Sequence, residues 1–502
     1  MAAAGRAVAV AEGDDGSMIG RREILRAVAG LSVPSVLTGR SVAMTPPLTV
    51  LTRDTEAIGG PAIRHGRSFA AATGVTVDVI RIPFDQLYDQ LMVGFITGRS
   101  GYDVVIVPSP WLPDLAPYLA PVPDWMHTAD AFSDIYPAYR DVMMRWQGAW
   151  KALTIDGDLQ IGAYRADLFD DPAHQRVFAE AYGQVLGPPE TWEDYRRIAE
   201  YFHGHQDADG RTLAGTVEPF MPKGQRLWTL CSRAAAYVNH PAQRGAMFFD
   251  PDTMTPAIDN PGWVRALSEY VAVRAFAPAD AARMDSYEVR TRFVAGRSAM
   301  NIDWTDTGVL AADPAISTVV GRVGFFGLPG SRDVWNPLTR RWDDLGRTRH
   351  VPFIAFGGWV AAVPAGRGRI DDAWRYVAWF GDPARSAVDV MDGTSGINPY
   401  RYSHLADVQP WLRVFGSKER AAAYLDVIRS SLESPDAVND LRIPGFRAYA
   451  AAMDAAIEAA LTNAATPGTA LGGAAAAWER ITDRLGRQGQ RRHYRQAMGL
   501  DG

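Results

Sequence analysis

The stretch Phe293-Val294-Ala295-Gly296-Arg297-Ser298-Ala299-Met300-Asn301-Ile302-Asp303-Trp304 decides how the chain is read. It has the form of a helix end, a glycine turn and a short buried strand. Gly296 suits the position just past a helix, because glycine enters the left-handed region without a Cβ clash. Ala299, Met300 and Ile302 supply apolar side chains around a polar Asn301. The strand delivers Asp303, Trp304 and then Asp306 to its carboxyl end, where open α/β sheets place their ligands. A large ring beside carboxylates at such a point can stack on a sugar face while the carboxylates accept from its hydroxyls. The same residues also fit a core tryptophan packed on a strand end, so the rest of the chain has to decide.

With 502 residues, 47% of them hydrophobic, the chain can build two or more lobes with real cores. The formal charge of -6 is spread over interspersed acids and bases, which excludes nucleic acid as an expected partner. The one dense basic run, Arg487 to Arg495, reads as a solvated tail. The single cysteine, Cys231, rules out an intramolecular disulfide and a cysteine-rich zinc site, and its apolar surroundings suggest a buried small hydrophobe. Fifteen Trp and 18 Tyr are a generous supply of the flat amphipathic rings that carbohydrate sites use.

The N-terminus carries a targeting pattern. Residues 1–17 show no period, and Met18 is an alternative start. Arg21-Arg22, followed by Ile24 and Leu25, resembles a twin-arginine export signal. A weak apolar stretch from Ala27 to Thr38 precedes Ser41-Val42-Ala43, a small-x-small cleavage pattern. The stretch is too short to span a bilayer, which takes about 20 residues. No cysteine lies near the cut, so no lipid anchor is expected and cleavage is expected near Ala43. An ordinary basic helix start is the competing reading.

From Leu48 the pattern alternates strand and helix. Leu48–Thr52, Val75–Ile80 and Tyr102–Val107 read as strands. Between them lie helical stretches near 60–73 and 84–98, the second with Phe84, Leu87, Leu91 and Phe95 on one face. The βαβαβ order predicts a doubly wound parallel sheet. Further on, Asp156 and Asp158 flank Gly157, where the backbone can approach a ligand and the carboxylates can accept from hydroxyls or hold a cation; an Asp-Gly turn explains them as well. Gly357-Gly358-Trp359 puts two glycines before an aromatic plate. Asn398, Tyr400 and Arg401 set an amide, a phenol and a guanidinium on a glycine-flanked loop, and a guanidinium can fork two hydroxyls or a carboxylate.

These motifs, in this order, resemble the maltose-binding-like (family 1) extracellular solute-binding proteins of ABC importers. The resemblance is carried by Phe69-x-x-x-Thr-Gly-Val-x-Val77, by Tyr102-Asp-Val-Val105 followed by Trp111, by Tyr164 to Phe169 and by Thr191-Trp-Glu-Asp-Tyr195. Phe293 to Trp304, Val323 to Gly330, Phe356 to Val363, Asp371 to Phe380 and Gly393 to Arg401 continue it. Arg165 stands where the family usually has Asn. Each motif alone is weak; their order over residues 48 to 495 is the signal.

The resemblance implies an α/β fold of the two-lobed type II periplasmic-binding kind, each lobe a doubly wound sheet flanked by helices. It implies a signal and leader over 1–43, a first lobe over 44–155 and 303–364, a second over 156–302 and 365–495, and three crossings near 156, 303 and 365. It also implies an exported, periplasmic monomer that binds a small polar solute, a sugar, oligosaccharide or polyol, and delivers it to membrane permease subunits. Carried onto this sequence, the ligand-facing set is Trp304, Trp359, Gly358, Asp156, Asp158, Asp303, Asn398, Tyr400, Arg401 and Trp111, with no cofactor and no metal. A secreted carbohydrate-active enzyme, or a binding protein for an amine or organic acid, is the alternative. No Gly-x-Ser-x-Gly elbow, His-Glu-x-x-His pair or phosphate-binding glycine loop occurs in the sequence.

Overall fold

The structure, a computed structural model, describes residues 46–500. The export pattern and its cleavage point therefore lie outside the described residues.

Two mixed sheets organise the chain. The first runs Val77–Ile82, Leu48–Arg53, Val104–Pro108, Trp359–Ala362, Leu153–Thr154 in spatial order. Its first three strands are parallel, as the βαβαβ pattern predicts. The strand Trp359–Ala362 then enters antiparallel between Val104–Pro108 and Leu153–Thr154, so the sheet is mixed rather than parallel throughout. Val104–Pro108 is buried at every residue, as expected of a central strand covered on both faces. The second sheet runs Val323–Phe326, Gln160–Arg165, Ser298–Trp304, Ala214–Val217. Its central strand Ser298–Trp304 is the opening stretch of the sequence, buried along its whole length. Helix Ser286–Val294 leads into it, and Gly296 takes φ 71 at the turn between them.

Local chemistry sets the flanking helices. Thr191 and Asp194 form a reciprocal capping box at the start of Trp192–Phe202, and Asp285 and Glu288 do the same for Ser286–Val294. Helices Arg226–Val238, Pro261–Val273, Phe446–Leu461 and Pro467–Leu485 pack together beside the second sheet and an added hairpin, Ser331–Asn336 with Arg341–Arg349. Cys231 is buried on the first of these helices.

The expected return to the first lobe over 303–364 does not follow the strand pairing: Val323–Phe326 pairs with Gln160–Arg165 in the second sheet, and only Trp359–Ala362 joins the first. Likewise helix Ile370–Phe380, expected in the second lobe, packs on helix Glu56–Thr73 of the first, whereas Lys418–Leu432 packs on Val323–Phe326. The basic run 487–495 is no free tail. It lies in helix Arg487–Ala497, whose Gln490, Tyr494 and Ala497 are buried along one face. The Tyr494 hydroxyl accepts from the Phe248 and Phe249 amides and donates to the Gly245 carbonyl. Burial of that stripe outweighs the charge on the opposite face.

Candidate functional site

Three chain segments meet where the two sheets face each other. The first, Asp156–Asp158, links strand Leu153–Thr154 of one sheet to Gln160–Arg165 of the other. The second, Phe356–Gly358, leads into Trp359–Ala362. The third, Gly396–Asn398, follows helix Pro383–Asp389. Gly358 shows why the contact is tight. Its φ is 80, and a Cβ there would lie 1.9 Å from the Asp156 carbonyl oxygen. No other side chain fits without moving the backbone.

Asn398 joins the segments. Its Nδ2 donates to Asp156 Oδ1 at 3.1 Å and Asp158 Oδ1 at 2.8 Å, and its backbone amide donates to Asp156 Oδ1 at 2.7 Å. Its Oδ1 accepts from the Thr305 hydroxyl at 2.6 Å and the Asp306 amide at 2.7 Å. One buried amide thus ties the first segment to the carboxyl end of the Ser298–Trp304 strand, with every polar atom used.

Against this knot lies a cavity of about 90 Å³. The first sheet contributes Arg53 and Trp359 to its wall, the second Trp304, the helix Asp306–Ala312 after it Asp306, and the segments between the sheets Asp158, Phe356, Gly396 and Asn398. Arg290, Tyr287 and Gln225 complete the side nearer the second sheet. The Phe356 ring centroid is 6.2 Å from that of Trp304 and 6.0 Å from that of Trp359, so three aromatic rings make one wall. Trp304 Nε1 donates to Gln225 Oε1 at 2.6 Å, which fixes its plane. The Arg53 guanidinium carbon lies 5.4 Å from the Trp359 ring centroid.

Three of the wall residues hold backbone conformations that side chains rarely adopt: Ile58 (φ 68), Gln225 (φ 77) and Phe356 (φ 59). At Phe356 the Gly357 amide closes back on the Ala355 carbonyl at 2.5 Å, a γ-turn. A β-branched residue at positive φ, as at Ile58, costs on the order of 1–3 kcal/mol. Such strain collects at binding and switch sites, where the surrounding fold over-determines the backbone.

The electrostatics are those of crowded, desolvated carboxylates. Burial pushes Asp156 up to about 7, against the Asn398 hydrogen bonds that favour its ionised form. Burial, then repulsion from Asp156 and Asp306, moves Asp158 well above the carboxylate range. Burial raises Asp303 to about 6 and also raises Asp306, while Arg290 opposes the rise in both. Arg290 spans the latter pair: Nε donates to Asp303 Oδ2 at 3.2 Å, Nη1 to Asp306 Oδ2, and Nη2 to the Ser286 hydroxyl at 2.8 Å. Polar atoms remain without partners: Asp156 Oδ2, Asp303 Oδ1, Asp306 Oδ1 and Arg53 Nε are all buried and unbonded. Buried groups in this condition mark a place for water or ligand. Among the described residues, no group of three or more His, Cys, Asp or Glu side chains is arranged to hold a metal ion.

The residues singled out from sequence divide accordingly. Trp304, Trp359, Asp158 and Asn398 line the cavity. Asp156 and Asp303 stand one layer behind it, and Gly358 backs onto the Asp156 carbonyl while its own carbonyl accepts from the Ser109 amide at 3.0 Å. Trp111, Tyr400 and Arg401 are placed elsewhere. Trp111 stacks on Phe84 at 5.4 Å and is core. The Tyr400 ring is fully buried against His404. The Arg401 guanidinium donates to the Ala131 and Gly381 carbonyls and faces Asp134, so its charge is spent on loop packing. Sequence reasoning missed Arg53, Arg290, Gln225 and Phe356. Arg53 had a readable signal, since it ends the first strand at the carboxyl edge of the sheet.

The sequence model of a family described as bacterial extracellular solute-binding protein matches residues 52–385. Solved structures share the fold across nearly their whole length. A solute-binding protein of an ABC transporter from Agrobacterium radiobacter K84, in complex with ribitol, superposes with a TM-score of 0.67 at 22% identity, over 87% of this chain and 98% of that one. Maltose-bound MalE3 of T. maritima gives 0.67 at 18% identity, over 87% and 99%. An ABC transporter solute-binding protein from Agrobacterium vitis S4 with bound D-mannitol gives 0.66 at 21% identity, over 88% and 99%. Compared by sequence with curated proteins, the chain matches none. With two helix-flanked mixed sheets, a cavity between them and a family match that spans about two thirds of its length, the chain belongs to the bacterial extracellular solute-binding protein family.

Proposed function

We propose that this protein is the solute-binding component of an ABC importer and that it closes its two lobes on a small polyol or monosaccharide. The observation that carries this reading is the wall of the cavity: three rings on one side, and Asp158, Asn398, Arg53 and Asp306 around the rest. Polyols and sugars present an apolar C–H face and a polar rim at once, and this wall offers both complements. Size narrows the class. At about 90 Å³ the cavity is on the scale of one small solute rather than an oligosaccharide. The solved relatives with ribitol and D-mannitol bound are in keeping with this size.

In this reading the lobes are bounded by the crossings at 156–158, 356–358 and 396–398. The chain is exported through the Arg21-Arg22 signal, cut near Ala43 and left without a lipid anchor, and its partners are the membrane permease subunits of the importer. A cationic amino polyol is the second reading, favoured by four carboxylates facing two guanidinium groups. A thermal-shift screen of polyols, sugars, polyamines and organic acids separates the two. Stabilisation by neutral polyols without product formation is expected. Stabilisation by amines alone selects the second reading, and turnover of any carbohydrate ends both.

A further inference from the structure

A larger cavity, of about 280 Å³, lies away from the cleft. Its walls are the segment Asp141–Gly148, Arg442 and one end of the C-terminal helix, with His493, Gln496 and Ala497. That segment begins within a π-helix, Ala138–Met143, a rare conformation that recurs at functional sites. Arg442 is buried to 2% exposure, and among the described residues no carboxylate lies within ion-pair distance of it, Asp440 being the acid that acts on it from farther off. Its Nη1 donates to the Val142 carbonyl, and its Nη2 to those of Met143 at 3.1 Å and Arg145 at 3.4 Å. Its Nε, also buried, has no partner. The nearest acid on its own segment, Asp440, is occupied by Trp228 Nε1 and the Phe356 and Leu441 amides. Burial pushes the guanidinium down to about 9, which still leaves it charged at neutral pH. Asp141, the one carboxylate on the wall, is chelated by Arg140 at 2.7 and 3.0 Å. Trp146 and His493 lie ring to ring at 4.7 Å and give the cavity a flat apolar side.

We propose that this cavity is a second binding site, for a small organic carboxylate with a flat or apolar body. A buried guanidinium whose countercharge, Asp440, lies outside ion-pair distance is a costly arrangement that an incoming carboxylate would relieve, and the Trp146–His493 pair would cover the ligand's apolar part. Carbonyls already engage both terminal nitrogens of Arg442 and leave only Nε, so a singly charged carboxylate is the better match to one remaining donor than a doubly charged phosphate, which needs several. The inference stands apart from the reading of the cleft.

The test is a calorimetric titration of the full chain with benzoate, with inorganic phosphate as the comparison. One-site benzoate binding is expected, unchanged in Trp304→Ala and weakened at least tenfold in Ala497→Phe, which fills the cavity. Because Ala497→Phe can fail to fold, the His493 ring and Trp146 indole NMR signals of the unaltered protein serve as a second readout, and both are expected to shift with benzoate. No benzoate binding, loss of binding in Trp304→Ala only, unmoved His493 and Trp146 signals, or tighter binding of phosphate would each overturn the proposal.

Discussion

Trp304 and Trp359 sit on different sheets, share Phe356 as a neighbour and both line the cavity. We expect Trp304→Ala and Trp359→Ala each to weaken polyol binding at least tenfold, or about 1.4 kcal/mol, while circular dichroism stays native. Unchanged affinity in both would return the two rings to plain core packing. The carboxylates make a separate prediction. Asp156 is pushed up to about 7, whereas an unfolded aspartate titrates near about 3.9. Between those values the folded protein holds the extra proton, so stability falls as pH rises. Denaturation of the ligand-free protein should show a steady loss from about pH 5 to about pH 7, with a shallower slope in Asp156→Asn. A rise over that window would mean that these carboxylates are ionised and well solvated.

At the scale of elements, the crossings govern. Gly358 combines φ 80 with an Asp156 carbonyl where its Cβ would go, whereas Gly74 has φ 75 and open space around it. Gly358→Ala should therefore cost more than ~3 kcal/mol in urea denaturation, and Gly74→Ala only ~1 kcal/mol. Equal costs would show that backbone conformation alone matters at Gly358. The strands themselves were legible: apolar runs such as Val104–Pro108 and Ser298–Trp304 announce buried strands whatever their partners. Their sheet membership was not, because pairing is a long-range property. Trp359–Ala362 reads the same whether it follows or precedes a crossing, and only its antiparallel fit between Val104–Pro108 and Leu153–Thr154 assigns it. The Gln490, Tyr494, Ala497 spacing of the last helix was readable, but the basic residues around it drew the eye to charge instead of period. Arg401 and Tyr400 looked like ligand groups because polarity on a glycine-flanked loop is local information. That the Arg401 guanidinium points into packed loops, at Ala131 and Gly381, and that the Tyr400 ring packs on His404, is set by tertiary contacts the sequence does not display.

For the whole molecule, the proposed function rests on closure: if ligand contacts from both sheets form together only in a closed state, binding energy drives closure. Residues of all three connecting segments, Asp158, Phe356, Gly396 and Asn398, line the same cavity. Delivery to a permease also requires the protein to reach the outside of the cytoplasm. If Arg21 and Arg22 direct that export, replacing both with Lys should leave uncut precursor in the cytoplasmic fraction on immunoblotting. Normal export of the variant would point to the general secretory route. The central claim, a site between the sheets sized for one small hydroxylated solute, is tested most directly by calorimetric titration with ribitol, D-mannitol and a panel of monosaccharides alongside maltotriose. Saturable one-to-one binding of at least one small polyol or monosaccharide, with maltotriose far weaker or silent, is the expected result. Tighter binding of maltotriose, or no heat from any small polyol or sugar, would contradict it.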